Sequence, residues 1–210
     1  MKNLLLILLV SCISMNGFSQ GDVKAKNALN KVSRNLKALK SMKANFKITI
    51  KNKKGKSQGS KSGTVMMKGD KYRVKISGQE IYCDAKNIWT YLKENNEVQI
   101  SEFEDNEDAF SPSKLFTNFY EKEYGYKYLG VKKDIMYIGL IPLKKSVQYE
   151  KIMLKVDTKK NLITGGKVYD KNGNTYGYSI TNYTKNPSLS DKVFVFNKSK
   201  YPKVEVIDLR

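Results

Sequence analysis

The segment Phe46-Lys47-Ile48-Thr49-Ile50-Lys51 alternates apolar and polar residues with a period of two. That period places one set of side chains on each face of an extended chain, so the segment predicts a half-buried antiparallel β-strand. Similar runs follow at short intervals, and turn residues such as Gly69-Asp70 and Lys171-Asn172-Gly173-Asn174 separate them. Many short strands with tight connections predict a meander.

The remaining strand-like segments extend almost to the end of the chain. Together with the first strand they predict one domain of about eleven antiparallel strands. The Lys-, Gly- and Ser-rich stretch 51–63 is predicted to be a flexible hairpin loop. The other strand-like segments are 63–68, 71–77, 80–84, 87–92, 97–103, 126–131, 135–140, 149–157, 162–170, 174–183, 193–196 and 204–207.

Two helices are predicted beside these strands. The first has apolar residues at three- and four-residue spacing from Ala25 to Leu39, with Asp22 as its N-cap. The second begins at Ser111-Pro112-Ser113 and places Leu115, Phe116, Phe119 and Tyr120 near one face. A sheet of this length is expected to curl. The fold class is therefore mainly β (α+β), and its helices cover either a concavity or an ordinary filled core.

Residues 1–20 have the composition of a secretory signal peptide. Lys2 precedes an unbroken apolar run, and small or polar residues follow it. Cleavage near Gln20 predicts an exported domain over residues 21–210. The run Leu9-Val10-Ser11-Cys12 also resembles a lipobox, which would leave Cys12 acylated as a lipid anchor. We predict the soluble form, in which Cys83 alone remains as a small buried apolar residue.

Charge and composition restrict the classes of function that are compatible with the sequence. The chain of 210 residues has a net charge of +19 and no histidine, which removes the usual general base and the commonest metal ligand. A carboxylate-pair glycosidase remains chemically possible, but the acidic residues cluster in the run 102–108. For an exported protein, the lysines suggest anionic head groups or an acidic partner protein rather than nucleic acid. They can equally serve solubility alone.

The order of several local motifs resembles the LolA-type outer-membrane lipoprotein carriers. The likeness runs from the first helix and Met42-Lys43-Ala44-Asn45-Phe46 through Ser62-Gly63-Thr64-Val65-Met66-Met67-Lys68. It continues with the hairpin from Cys83 to Tyr91, the strand end Ile138-Gly139-Leu140-Ile141-Pro142, and the closing segments 182–196 and 202–208. Gly69 stands where some family members have an arginine that holds the lid closed, so that latch does not carry over.

The resemblance implies an unclosed half-barrel with a helical lid, whose apolar interior shelters the acyl chains of lipoproteins crossing the periplasm. It also implies an inner-membrane ABC transporter as donor, an outer-membrane acceptor, and neither catalysis nor a cofactor. An anchored acceptor or an envelope-stress lipid sensor of the same fold is the alternative, and we expect a monomer.

The expected cavity residues come from alternating strand positions and from the second helix. Each of them can also be a plain core residue. Lys68 and Arg73 are the candidates for contact with a partner or a lipid head group. The expected cavity residues are Phe46, Ile48, Met67, Trp89, Tyr91, Leu115, Phe116 and Phe119.

Overall fold

In the computed structural model, residues 20–104 and 124–210 are described, and their strands form one twelve-stranded sheet. Helix α1, Gln20–Lys37, precedes the sheet. The strands are β1 Met42–Lys51, β2 Ser57–Lys68, β3 Lys71–Ile76, β4 Gln79–Cys83, β5 Asn87–Leu92, β6 Glu97–Glu102, β7 Tyr124–Lys132, β8 Ile135–Pro142, β9 Tyr149–Asp157, β10 Leu162–Asp170, β11 Thr175–Lys185 and β12 Glu205–Asp208.

The strand order is β12-β6-β5-β4-β3-β2-β1-β11-β10-β9-β8-β7. The central strand β1 pairs with β2 and β11, so that Phe46 lies between Gly63 and Ile180. The sheet is not closed, since β7 and β12 are its two edges. The predicted class, a mainly β open half-barrel with a helical cover, is confirmed.

Helix α1 defines the two faces of the sheet. Ala25, Leu29, Val32 and Leu36 point into the sheet and are buried, as their three- and four-residue spacing predicts. We call the sheet face against which α1 packs the inner face. Its core beneath α1 is made by alternate residues of β8 and β9, which are also buried: Ile138, Leu140, Ile152, Leu154 and Val156.

A C-terminal strap, residues 186–204, packs against the opposite or outer face. Phe196 and Val204 of this strap form a second buried cluster with Tyr82, Tyr91 and Val98 of β4–β6. The aromatic rings are in contact, since the Phe196 centroid lies 5.7 Å from that of Tyr91 and 4.8 Å from that of Tyr201. The sheet therefore has one apolar layer on each face, at opposite ends of the strand order.

Two predictions about connections are wrong. The segment 51–63 is not a loop, because β2 begins at Ser57 and only residues 52–56 turn; pairing with β1 satisfies the backbone of this polar segment. The segment 193–196 is not a strand. It contains the end of a 3-10 turn, Asp191–Phe194, whose N-cap Ser190 accepts a hydrogen bond from the backbone N–H of Lys192.

Two further predictions change in detail. The last strand, β12, pairs parallel with β6 rather than antiparallel, because the strap brings the chain back across the sheet before it pairs. Asp22 is not an N-cap, because the helix already includes Gln20. Its Oδ1 atom instead accepts a hydrogen bond from the backbone N–H of Tyr128, at 3.0 Å, and thereby ties α1 to β7.

Both edges of the sheet are irregular or short. Strand β12 has only four residues. At the other edge, the pairing of β7 with β8 shifts register between Tyr128 and Val131. Such a shift marks a β-bulge, which bends and twists the strand.

Candidate functional site

The inner face divides into a filled part and a more open part. Beneath α1, the inward side chains of β8 and β9 from Ile138 to Leu140 and from Ile152 to Val156 are almost inaccessible to solvent. On β1, β3, β4, β5 and β11, nine of the inward apolar side chains keep partial exposure instead. These partly exposed side chains are Phe46, Ile48, Ile50, Val74, Ile76, Ile81, Ile88, Tyr178 and Ile180. We call this set the inner apolar wall.

The inner apolar wall carries no charge. By strand alternation, the inward positions of β1, β3, β4 and β5, and those of β11 from Tyr176 to Ile180, hold no Lys, Arg, Asp or Glu. Charge lies beside the wall, where β2, between β1 and β3, carries the exposed Lys61 opposite Ile48, and where Lys185 ends β11. Such a wall of aliphatic and aromatic groups can hold hydrocarbon, and it offers few polar groups to orient a polar ligand.

The hydroxyl group of Tyr178 reflects the same apolar surroundings. Burial raises the pKa of this phenol above its ordinary value, because the charged form is disfavoured away from water. Tyr178 therefore stays neutral throughout the physiological range and adds no charge to the wall.

Three predicted cavity residues lie on the inner face. Phe46 and Ile48 belong to the inner apolar wall, and the ring of Phe46 lies across Gly63 of β2. A Cβ atom at Gly63 would come within 2.6 Å of that ring and 2.2 Å of the backbone oxygen of Lys75, so the site requires glycine. Met67 also faces inward but is buried in the core.

Trp89 and Tyr91 do not join them. Strand alternation directs both side chains to the outer face, where they pack with the strap in the second cluster. The sequence placed them with Phe46 because β5 is apolar on both faces, Ile88 and Leu92 alternating with Trp89 and Tyr91. The geometry corrects this grouping: these two aromatic residues hold the strap. Leu115, Phe116 and Phe119 lie outside the described residues.

Lys68 and Arg73 are both on the outer face and both engaged within the chain. The Nζ atom of Lys68 lies 2.7 Å from Oδ1 of Asp191, and that of Lys71 lies 2.8 Å from Oδ2. Hydrogen bonds from these two lysines lower the pKa of Asp191 to about 2. Lys68 also donates to the backbone oxygen of Leu189. These contacts fix the strap to β2 and β3.

Arg73 belongs to a polar network at the other end of the strap. It donates to a carboxylate oxygen of Glu80 and to the Tyr82 hydroxyl, and its guanidinium lies 4.6 Å from the Tyr82 ring centroid. The Tyr82 hydroxyl is 3.0 Å from that of Tyr201 in the strap. Arg73 thus makes these contacts within the chain. Its contact with a partner stays a prediction.

Ile81, Ile88, Tyr178 and Ile180 are wall residues that the sequence analysis did not single out. The sequence does contain a pattern that could have identified them, because each lies at an apolar position of an alternating strand. What the sequence could not supply is the strand order, which brings β11 next to β1 and places Ile180 beside Phe46.

The described residues contain neither a metal centre nor a membrane helix. Within residues 20–104 and 124–210, no group of three or more Cys, Asp or Glu side chains could hold a metal ion. In the same part of the chain, no helix has the length and hydropathy required to span a bilayer.

Comparison with known proteins agrees with this geometry. A crystal structure of an uncharacterized conserved protein from Thermus thermophilus matches with a TM-score of 0.58 at 11% identity, covering 88% of this chain and 99% of that one. Lipoprotein LppX of Mycobacterium tuberculosis matches with a TM-score of 0.51 at 11% identity, covering 80% and 98%. At these identities the matches establish the fold alone. No curated protein shows significant similarity.

A comparison with protein families gives a more specific result. The model of the outer membrane lipoprotein carrier protein LolA matches residues 37–197, from the end of α1 into the strap. That span includes every strand of the inner apolar wall. The chain therefore belongs to the LolA family of outer membrane lipoprotein carrier proteins.

Proposed function

We propose that the protein is a periplasmic carrier that holds the acyl chains of lipoproteins against the inner apolar wall and moves them from the inner to the outer membrane. The observation that carries the proposal is the wall itself, which is apolar, uncharged and only partly covered. Membership of a carrier family agrees with it.

The physical reason for such a wall is the cost of exposing hydrocarbon. Each CH₂ group transferred from water to an apolar environment contributes about 0.8 kcal/mol, so an acyl chain of a dozen or more carbons does not leave a membrane unaided. Partly exposed side chains such as Ile48 and Ile81 offer an apolar surface before the cargo arrives. Release then follows from a higher affinity of the acceptor for the same chains.

Binding and transfer of this kind need no covalent chemistry. The proposal therefore includes no catalytic residue and no cofactor. It does include an inner-membrane ABC transporter as donor and an outer-membrane acceptor, both carried over from the family. It also includes removal of residues 1–20 on export, which leaves a single domain over residues 21–210.

Within the proposed site, Phe46 and Ile48 keep the role expected from the sequence. Ile81, Ile88 and Tyr178 join them on geometric grounds. Leu115, Phe116 and Phe119 remain proposed cavity residues, from the apolar face of the predicted second helix. Trp89 and Tyr91 leave the proposed site, since they face the strap.

The test introduces a charge on one face of the sheet or the other. Ile81→Asp places a carboxylate on the inner apolar wall, between the uncharged partners Val74 and Thr90. Ser62→Asp places one on the exposed outer side of β2. We expect the Ile81 variant to lose at least tenfold in affinity for a triacylated lipopeptide, and the Ser62 variant to bind as the unaltered protein does. The measurement is fluorescence titration with a labelled lipopeptide, and thermal melting confirms that both variants fold.

A matched peptide without acyl chains separates hydrocarbon binding from peptide binding. The proposal requires that this peptide not compete with the lipopeptide. Equal affinity for the two peptides, or unimpaired binding by Ile81→Asp, would contradict it.

The lipobox-like sequence ending at Cys12 supports a second candidate, a lipid-anchored acceptor or sensor of the same fold. Mass spectrometry of the mature N-terminus distinguishes the two. An unmodified chain beginning near Gln20 fits the soluble carrier, and an acylated Cys12 fits the anchored protein.

A further inference from the structure

The outer face of six adjacent strands, β1, β11, β10, β9, β8 and β7, carries a regular array of lysines. Each of these lysines alternates along its strand with an inward residue, such as Phe46 beside Lys47 and Val168 beside Lys167. All of them are exposed except Lys155, which is half-buried. The array, which we call the lysine face, consists of Lys47, Lys51, Lys127, Lys151, Lys155 and Lys167.

The pairing register spaces these lysines evenly. Lys127 lines up with Gly139, Met153 and Lys167 on successive strands. A second row runs from Lys155 through Gly165 and Ser179 to Lys47.

The third row runs from Lys151 through Tyr169 and Thr175 to Lys51. In each row the two lysines are three strands apart, which is about 14 Å at the usual strand spacing. Evenly spaced single charges of this kind suit an extended anionic surface better than a compact ligand.

Negative charge is sparse in the same six strands. In these six strands, acidic residues occur only near the ends of β9 and β10, at Glu150, Asp157 and Asp170. No lysine of the face forms an ion pair with any residue in the described part of the chain, although Lys151 lies over the ring of Tyr169. Within residues 20–104 and 124–210, the positive charge of the face is therefore not neutralised by ion pairs.

Two further features favour a lipid surface over an acidic protein as the partner. The chain has 36 lysines and only three arginines, none of them on this face. Protein interfaces favour arginine and are depleted in lysine, whereas lysines near a bilayer are attracted as simple point charges. In addition, Leu129 and Ile141, which are 48% and 50% exposed, point outward on β7 and β8 beside the lysines. Aliphatic groups beside lysines are typical of surfaces that settle into the head-group region.

We propose that the lysine face docks the protein on membrane surfaces rich in anionic phospholipid. This docking uses the opposite side of the sheet from the inner apolar wall, so it does not depend on the proposed binding of acyl chains. A protein held in this way would exchange cargo at the membrane and diffuse along it, since point-charge contacts leave lateral movement free.

The test is sedimentation of the purified protein with vesicles of phosphatidylglycerol and phosphatidylcholine, compared with vesicles of phosphatidylcholine alone. We expect binding to the anionic vesicles that weakens at least tenfold between about 50 and 500 mM salt, as screening of surface charges requires. The variant K127E/K155E/K167E removes half of the lysine face. We expect it to lose at least tenfold in vesicle affinity.

The control K198E/K200E/K203E changes the net charge by the same amount on exposed residues of the strap. Near-normal binding by this control supports a localised docking surface. An equal loss in the two variants, or no preference for anionic vesicles, would overturn the proposal. Lipopeptide affinity that is unchanged in K127E/K155E/K167E shows that the variant is folded and keeps this test separate from that of the carrier function.

Discussion

Arg73 and Glu80 face each other across the β3–β4 hairpin, with Nη2 of the arginine 2.8 Å from Oε2 of the glutamate. The Tyr82 hydroxyl donates to the same oxygen, and Nζ of Lys93 lies 3.1 Å from the other one. The Glu80 side chain is only 5% exposed. The charge of this carboxylate is therefore balanced by Arg73 and Lys93. Through the Tyr82 hydroxyl, which also contacts Tyr201, the carboxylate connects the sheet to the strap.

Neutralising this carboxylate should destabilise the fold. Glu80→Gln leaves Arg73 without its anionic partner and weakens two further hydrogen bonds, while keeping the side-chain volume. We expect the free energy of unfolding to fall by about 2 kcal/mol, below the figure for a fully buried pair because the cations retain some solvent. Urea denaturation measures the change. Glu94→Gln, in the exposed β5–β6 turn, should change it by less than about 0.5 kcal/mol.

The same network predicts how stability depends on pH. Burial alone would raise the pKa of Glu80, but hydrogen bonds from Arg73, Tyr82 and Lys93 outweigh it and lower that pKa to about 2. Since the pKa in the folded state lies below the ordinary value of 4.5, the unfolded chain takes up the proton first as the pH falls. The contribution of Glu80 is thus complete above about pH 5 and is lost towards about pH 2.

The measurement is the unfolding free energy of the unaltered protein and of Glu80→Gln between about pH 7 and pH 2. We expect their difference to be constant in the upper part of this range and to shrink below about pH 5. A difference that does not change with pH would show that the network does not hold the carboxylate ionised.

The fold was predictable because each element carries a local signal. The alternation in β1 and the three- and four-residue spacing in α1 correctly predicted these elements, because each pattern separates residues that face the core from residues that face solvent. The errors occur where local composition and long-range pairing disagree. The segment 57–62 is polar and glycine-containing, yet it continues β2 because β1 is there to pair with it.

We expect one aromatic ring of the strap, that of Phe196, to contribute strongly to the stability of the fold. Phe196 contacts Tyr82, Tyr91 and Tyr201 and is buried. Phe196→Ala should lower the free energy of unfolding by about 3 kcal/mol, because it leaves a cavity between the strap and β4–β6. Its neighbour Val195 is 40% exposed, so Val195→Ala is the matched control and should cost less than about 1 kcal/mol.

Trp89 supplies a local readout of the same change. It is the single tryptophan of the chain and packs against this cluster. We expect its emission to shift to longer wavelength in Phe196→Ala and to stay unchanged in Val195→Ala. An unshifted spectrum in the phenylalanine variant would mean that the strap does not shield this face.

Cys83 should be inert in the folded protein. Its side chain is buried on the inner face of β4, as predicted for a small apolar residue, and burial raises the pKa of its thiol above the ordinary value. Because the thiolate is the reactive form, we expect no modification by iodoacetamide at about pH 7.5 until the protein unfolds. Cysteine introduced by Ser77→Cys, at an exposed position, should react at once, and rapid labelling of Cys83 itself would contradict the buried position.

The candidate site was less predictable than the fold, for a geometric reason. Alternation shows that Phe46 and Ile48 share one face and that Trp89 and Tyr91 share one face, but not whether the two faces are the same. That relation depends on the register across five strands. Strand β5 has apolar residues on both faces. Its sequence therefore does not indicate which face packs towards the helix and which packs against the strap.

The two edges of the sheet affect whether the protein can self-associate. An open sheet with a partly uncovered apolar wall has two routes to self-association, through the wall and through unpaired backbone at its margins. The register shift in β7 and the brevity of β12 interrupt the second route, since neither margin offers a long straight strand to another copy. We therefore expect the chain to keep the inner apolar wall accessible without polymerising, as the proposed delivery of cargo one molecule at a time would require.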